Sequence, residues 1–557
     1  METDLIRKRF EALFTQRKTV ESTWDVIERF ITPYRGGFFQ DQRQETSIDW
    51  RKREVYDSTA VMSHQNLAAS LHGSITSPSI RWFDLTFQDE KMNDSKESKE
   101  WLEECSRITY DAIQESNFNL EVNETYQDIC GYGTSVITEE PIDDAQWRGI
   151  QFASIPLKQC YFEQNWEGKV YRLYRLLSWT PIQIISKFGT KVPQTVMDAK
   201  DSQPDTKIDI IFCIFERPKY RPSFDAGGPG KKLAPKRRPY GFKYMIRSSG
   251  DPLGDEGGYY EMPAFVPRWR KTNDSMWGNS PAMIALADVL TLNQLIEMVL
   301  RSAEKVIDPP TLAEERTIIS DLVLKAAGLT VVRDISKIRP FESGARFDVS
   351  QLRIEDLREA IQSYFFVDKL ELKNSPAMTA TEAQIRYDLM QRLLGPTLGR
   401  LQSDFLDLLI QRTFNMLYRA GQFPAIPESV KDGKSAMDIK YLGPLNRAQQ
   451  VDAVAGVERW IATLGNIAAT TQDQKVLKVP DYVEVAKGLG RMLTVPAKMM
   501  RDEKKVDDEV KADEERMEEM KEAAALQAKG DATQSVGAGM MSLQGPEGEG
   551  EMEQEIV

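Results

Sequence analysis

The sequence predicts an α+β fold, predominantly helical and divided into several domains. Three observations carry this expectation. Apolar residues recur at helical spacing through 2–31, 55–75 and 95–130. Between 131 and 270 the pattern changes to short runs rich in Val, Ile, Tyr and Phe, separated by turn residues. From 277 to 421 two helices flank a compact insert, and a tight loop then launches a longer helix. The chain has 557 residues, too many for one core, and its 41% hydrophobic content is enough for folded structure.

The first helix carries Leu5, Phe10, Leu13, Phe14, Val20, Trp24, Ile27 and Ile31 and stops at Pro33 and Gly36-Gly37. A second covers about 55–75 and ends at Ser77-Pro78. Arg81 to Leu85 alternates like a short strand, and 95–130 reads as two helices split near Asn117-Phe118-Asn119. The strand-like runs that follow lie around Val136, Phe152, Tyr161, 170–177, 208–215 and 242–246. Thr180-Pro181 opens a small helix closed by Gly189.

Residues 217–239 form a loop dense in Pro and Gly. From Arg217 to Lys243 nine bases face one acid, Asp225, and Lys231, Lys232, Lys236, Arg237 and Arg238 form the candidate contact set. Such a loop either touches DNA or an acidic neighbour, or is a solvated excursion between strands. Gly230-Lys231-Lys232 lacks the glycine and the Ser/Thr of a phosphate loop, so no nucleotide site is expected.

The helix from about 281 to 306 has Ser280 as cap and Pro281 at its first position. Its apolar residues spread over more than one narrow stripe, which suggests packing on two sides, as between subunits; a core helix within one domain is the alternative. Asp308-Pro309-Pro310 stops it. A helix over 350–372 follows and breaks at Lys373-Asn374-Ser375-Pro376. Thr379 and Glu382 form a capping box that fixes where the long helix starts, and so where loop 373–378 points. Gly395 and Pro396 should bend that helix, since proline removes a helical hydrogen bond, and Gly421 is its candidate C-cap. Beyond 422 come a Pro-rich link, helices near 446–465 and 480–492, and a charged helix over 501–521. The last residues, rich in Gly, Met, Ser and Glu, are expected to be disordered.

No catalytic constellation stands out. The two histidines, His64 and His72, lie on one expected helix without a metal-site context, and no nucleotide-binding or nucleophile-elbow motif sits in a strand-turn-helix setting. Four widely spaced cysteines read as buried reduced thiols. No catalytic residue, metal or cofactor is expected. Nor is a membrane partner, because the most apolar helix, 281–300, is interrupted by Asp288, Asn293, Gln294 and Glu297. The net charge of −13 argues against a tight DNA clamp and does not exclude a channel that lets DNA slide past a like-charged wall.

Several blocks, in order, resemble the head-to-tail connector (portal) proteins of short-tailed, T7-like phages. They are Tyr56-Asp57-Ser58-Thr59-Ala60 with Ile75 to Pro78 and Arg81-Trp82-Phe83; Cys130-Gly-Tyr-Gly-Thr134; Gly168, Arg172, Arg175, Thr180 and Phe188-Gly189; Arg268-Trp269 with Trp277-Gly278-Asn279-Ser280-Pro281; and Met378-Thr379-Ala380-Thr381-Glu382. The resemblance spans roughly 5–465.

The resemblance implies a subunit of a twelve-membered ring. Its wing would be 1–275 and its first stem helix 276–307. A small α/β clip would span 308–349, the second stem helix 350–372, and the tunnel loop 373–378. The long kinked helix would be 379–425, the crown with a possible C-terminal barrel helix 426–532, and the tail 533–557. It implies that double-stranded DNA passes through the channel during packaging and ejection. The terminase large subunit would dock on the clip and later give way to tail adaptor or tail tube proteins. Major capsid protein, scaffold and internal core proteins would be the other partners. The place would be the virion vertex, after assembly in the host bacterial cytoplasm. Lys369 and Lys373 are candidates for a basic ring in that channel, together with Asn374, Ser375 and Pro376 of the loop; helix-end lysines favoured by the dipole are the plainer reading. Two alternatives are another ring-forming adaptor or tail structural protein, and a metal-dependent nucleic-acid enzyme.

Overall fold

The computed structural model describes residues 2–33, 55–78, 81–88, 96–143, 146–217, 233–272, 275–307, 311–313, 338–340, 347–367, 394–427, 430, 437–441, 444–471, 479–480 and 482–492, with short helical pieces between 509 and 521. It has two compact units. The larger comprises Met1–Asp84, Glu104–Pro424 and Ile439–Gln449; the other comprises Leu85–Glu103, Ala425–Asp438 and Gln450–Val557.

In the larger unit, helix α1 (Thr3–Phe30) lies on a sheet because its apolar spacing supplies one continuous face. Ile6 and Phe10 pack with Tyr161, Tyr174, Ile211, Cys213, Phe215 and Met245. Burying a side chain such as Phe10 in this way contributes about 1.5–3 kcal/mol. Leu5, expected on the same stripe, is exposed. Arg17 crosses the interface: its guanidinium lies over the Tyr161 ring and donates to the carbonyls of Leu157 and Cys160 at 3.1 and 2.8 Å.

That sheet is an antiparallel meander of five strands in sequence order: β4 (Cys160–Gln164), β5 (Val170–Trp179), β6 (Ile208–Glu216), β7 (Tyr240–Ile246) and β8 (Pro252–Tyr259). The small helix α5 (Pro181–Phe188) starts with a capping box between Thr180 and Gln183. Helix α6 (Gln194–Ser202) and strand β8 were not expected from the sequence. The first is short and weakly apolar, and the second is glycine-rich, so neither has a strong periodic signal.

Strand β1 (Phe83–Phe87) lies where a short alternating strand was expected. A second sheet places β2 (Val136–Pro141) between β3 (Ile150–Ile155) and β9 (Ala264–Phe265). Helix α4 (Phe118–Tyr132) packs on this sheet, and α2 (Thr59–Ile75) packs on α4. Helix α3 (Lys96–Gln114) precedes α4 with the expected break around Asn117, whose amide and carbonyl groups bond the Phe152 backbone at 2.8 Å each way. The hairpin β10 (Arg270–Thr272) and β11 (Ser275–Asn279) leads into α7 (Pro281–Ile307). Beyond α7, β12 (Thr311–Ala313) pairs antiparallel with β13 (Ile338–Pro340), and α8 (Phe347–Tyr364) returns along α7.

Two expectations are refined here. The helix expected over 350–372 is interrupted: α8 ends at Tyr364, and Phe366 takes a left-handed conformation (φ 59°) with its ring 6.5 Å from that of Trp269. Phe365 is buried beside His64, while Val367 is helical again and 368–372 lie outside the described residues. The long helix is helical over 394–401 and continues through a π turn, Gln402–Leu406, into α9 (Asp407–Arg419). Within α9 Leu408 is exposed, whereas Leu409 and Ile410 are buried. A π turn carries an extra residue, which rotates the stripe that follows it. Gly395 and Pro396 both lie inside this helix, and the irregularity found among the described residues is the π turn. Gly421 has φ 68° and closes α9 as expected; its N–H and that of Gln422 bond the carbonyls of Tyr418 and Leu417.

In the other unit, most of helix α10 (Pro444–Thr471) and helix α11 (Tyr482–Met492) are described, and Trp460 and Ile467 of α10 are exposed.

Candidate functional site: the helix pair and its root

Helix α7 begins at a junction built from two of the quoted sequence blocks. The Ser280 hydroxyl donates to the Gly131 carbonyl at 2.7 Å and accepts the Met283 N–H at 3.1 Å, so one side chain both caps α7 and ties it to the end of α4. The Gly278 N–H donates to Thr134 at 2.8 Å, and the Trp269 N–H donates to the Gly133 carbonyl at 2.9 Å. The two chains approach so closely that only glycine fits. A Cβ on Gly278 would lie 2.1 Å from the Gly133 carbonyl oxygen; one on Gly133, at φ 78°, would lie 2.3 Å from that of Gly278. Trp277 closes the junction, edge-on to Trp24 at 4.9 Å and to Phe162 at 4.5 Å.

The Tyr56-Asp57 block holds both helices of the pair. The Tyr56 N–H donates to Asn293 of α7 at 2.7 Å. Asp57 accepts the Thr59 N–H at 2.8 Å, at the start of α2, and takes Nη2 and Nε of Arg358 of α8 at 2.8 and 3.0 Å. Burial pushes the Asp57 carboxyl up, but the hydrogen bonds from Thr59 and Arg358 outweigh it and hold the group below the usual carboxylate range.

One arc of α7 is covered: Ala282, Ala285, Val289 and Leu292 are buried. Ile284, Leu290, Met298 and Leu300 are exposed, at 37–53%. By length and hydropathy alone Pro281–Glu304 meets the threshold for a membrane span, contrary to the expectation that no segment approaches one. A single such helix is weak evidence. This one carries Asp288 and Glu297, is bonded through Asn293 to Tyr56, and packs along α8. Its exposed apolar residues therefore point to protein packing.

The root of the long helix is charged. Arg268, almost fully buried, lies 3.3 Å from Asp404 in the π turn. Glu139 of β2 is fully buried, accepts the Thr413 hydroxyl at 2.6 Å, and lies 3.7 Å from Arg412. Burial pushes its carboxyl up to about 8 although Arg412 and Thr413 oppose this. Arg419 makes a two-pronged bond to Glu261 at 2.5 and 2.8 Å.

The residues expected to act divide as follows. Lys369, Lys373, Asn374, Ser375, Pro376, Thr379 and Glu382 lie outside the described residues, as do Lys231 and Lys232. The described part of the basic loop does not act as one patch. Arg238 is buried, donates to Leu233 and Gly258, and stacks on Tyr260. Arg217 bonds Glu256 at 2.6 Å and the Gly257 carbonyl at 3.1 Å. Lys236 and Arg237 are exposed on a short 3-10 turn. Arg217 and Arg238 thus peg the loop's base. Sequence reading missed Arg358, Glu139, Asp404 and Arg412 as partners. A signal existed for Arg412 alone, since it falls seven residues after Phe405 on the apolar side of the helix.

The four cysteines are buried free thiols, and burial pushes each of them up. Among the described residues no three His, Cys, Asp or Glu side chains are grouped to hold a metal.

The family model for the bacteriophage head to tail connecting protein matches residues 3–500. The chain belongs to this head-to-tail connecting family. Among its relatives, the probable portal protein of Bordetella phage BPP-1 is 28% identical over 480 residues, covering 84% of this chain and 83% of that one. The portal protein of Salmonella phage epsilon15 is 25% identical over 482 residues, with the same coverage. Among solved structures, a chain of the virion of a native gene transfer agent particle matches at 10% identity. It covers 73% of this chain and 86% of that one, with a TM-score of 0.33. A chain from the neck of an empty gene transfer agent particle matches at 8% identity, covering 72% and 86%, with a TM-score of 0.35. The connector is thus a phage portal protein of mixed helix and strand content, and its family is named for a structural role. Packaging and ejection of DNA through a channel fit that role.

Proposed function

We propose that twelve copies of this portal protein close into a ring around a DNA channel at one capsid vertex, with α7 and α8 forming the stem. The observation that carries this is the exposed apolar side of α7, on a helix whose opposite arc is already packed. A ring gives each such helix a neighbour, which removes the exposed Ile284, Met298 and Leu300 from water. In this reading the antiparallel strand pair β12–β13 belongs to the clip. There the terminase large subunit docks while it drives DNA inward, and tail adaptor proteins replace it afterwards. The wing meets major capsid protein and scaffold, and the crown faces any internal core proteins.

Twelve subunits at −13 each make an acidic ring through which DNA slides with few lasting contacts. Loop 373–378 lines the narrowest point, and Lys369 and Lys373 form a local basic ring. The test is the mass and shape of the purified chain by light scattering and negative-stain imaging. Twelve chains of 63.5 kDa give about 760 kDa, with a central hole. A compact dimer with metal-dependent nuclease activity would overturn the reading.

A further inference from the structure

Among the described residues, Phe366 is the one non-glycine residue with a positive φ, 59°. In that region Cβ crowds the following carbonyl oxygen, so a bulky side chain stays there only where its surroundings hold it. Residues held in this way gather at sites where a chain switches or turns.

The local sequence does not ask for the break. From Phe347 to Ser375 there is neither glycine nor proline, so propensity favours a helix that continues. Burial opposes it. Leu357, Ile361 and Phe365 follow helical spacing and are buried, and Val367 is buried as well. On an unbroken helix Val367 would lie about 160° around the axis from Phe365, on the far side from that stripe. The left-handed turn brings both side chains into the interior. It also sets the Phe366 ring 6.5 Å from that of Trp269 and the Phe365 ring edge-on to His64 at 6.3 Å. The turn keeps its backbone bonds: the Phe365 N–H donates to the Ile361 carbonyl at 3.3 Å, and the Phe366 N–H to that of Ser363 at 3.1 Å. Trp269 is fixed in turn, because its N–H is held by the Gly133 carbonyl at the root of α7.

We propose that Phe366 is a two-state hinge. In one state, the observed one, the left-handed turn ends α8 and keeps Val367 in the interior. In the other, Phe366 is right-handed, the helix runs unbroken through Val367, and that side chain turns outward. Backbone strain and helix propensity favour the second state; burial of Val367 and the contact with Trp269 favour the first. These opposing effects are of similar size, which is what a two-state element requires. Because the ring that moves lies against Trp269, the hinge links the end of α8 to the root of α7. The hinge does not depend on the ring reading and is tested on the purified full chain in whatever state it adopts.

The experiment is maleimide labelling of the thiol introduced by Val367→Cys, followed by mass spectrometry. The four native thiols are buried, so they give a low background and report any general unfolding. Phe366→Gly and Phe366→Ala are then compared in the Val367→Cys protein. Both lose the ring, and they differ in the cost of the left-handed backbone, which glycine does not bear. The introduced thiol should react about fivefold faster or more with Phe366→Ala than with Phe366→Gly, the scale of the left-handed penalty for a residue with a Cβ. Equal rates, or faster labelling with Phe366→Gly, overturn the proposal. If Phe366→Ala also exposes the native thiols, Phe366→Leu takes its place, with the same expected order and the same overturning results.

Discussion

Arg358 places Nη2 and Nε at 2.8 and 3.0 Å from one oxygen of Asp57, across 301 residues of sequence. Asp57 is nearly buried and its other oxygen holds the start of α2, so one carboxylate fixes the position of α8 against α2.

Asp57→Ala should cost about 1–2 kcal/mol, combining a lost helix-start bond with a lost ion pair. Arg358→Ala should cost less, because Arg358 is 45% exposed and water screens the pair. Urea denaturation of both single variants and the double variant gives the coupling; strict additivity would show that the pair is not a latch. Because the Asp57 carboxyl is held below its ordinary value, the latch persists above the unfolded-state pKa. It is lost as pH falls through the folded one.

Gly133→Ala and Gly278→Ala should each abolish a stable fold, since either Cβ meets a backbone oxygen at 2.1–2.3 Å. At Gly133 the left-handed φ adds about 1 kcal/mol or more of strain. Soluble yield and melting temperature report this. Gly399→Ala is the control: nothing lies near its Cβ, so it should be neutral or raise stability by about 0.5–1 kcal/mol. A well-folded Gly278→Ala protein would mean the junction is looser than described.

Stability should fall as pH rises from about 4.5 to about 8 through Glu139. Burial lifts its folded pKa from the ordinary 4.5 to about 8, so in that window the native state holds a proton that the unfolded state has released. Each unit of difference is worth about 1.4 kcal/mol, so partial expression of the shift is measurable. Glu139→Gln should flatten this part of the profile. Urea midpoints across the window for both proteins decide it, and parallel profiles would refute the assignment.

Met298→Glu and Leu300→Glu should leave the subunit's unfolding free energy within about 0.5 kcal/mol of wild type, because both side chains are exposed. On the ring reading they should prevent assembly, since each buries a charge against a neighbour. Intact rings from the double variant would remove α7 from the subunit interface.

Deleting 374–377 should leave rings intact and reduce retention of packaged DNA, if loop 373–378 lines the channel. Full heads with normal genome retention in that mutant would remove the loop assignment.

Local chemistry determined the element types and many of their borders. Ser280, Thr180 and Gly421 act on backbone groups within a few residues, so their roles were readable from the sequence and recur in the structure. The order of short motifs likewise carried the family resemblance, because each motif is a local string. Tertiary structure alone decided which distant residues meet. Nothing near Asp57 announces Arg358, and nothing near Gly133 announces Gly278, because such pairs form only when long chain segments close on each other. The turn at Phe365–Phe366 after α8 and the π turn in the long helix have the same origin. There, packing against Trp269 and pairing with Arg268 accompany departures from what helical periodicity prefers.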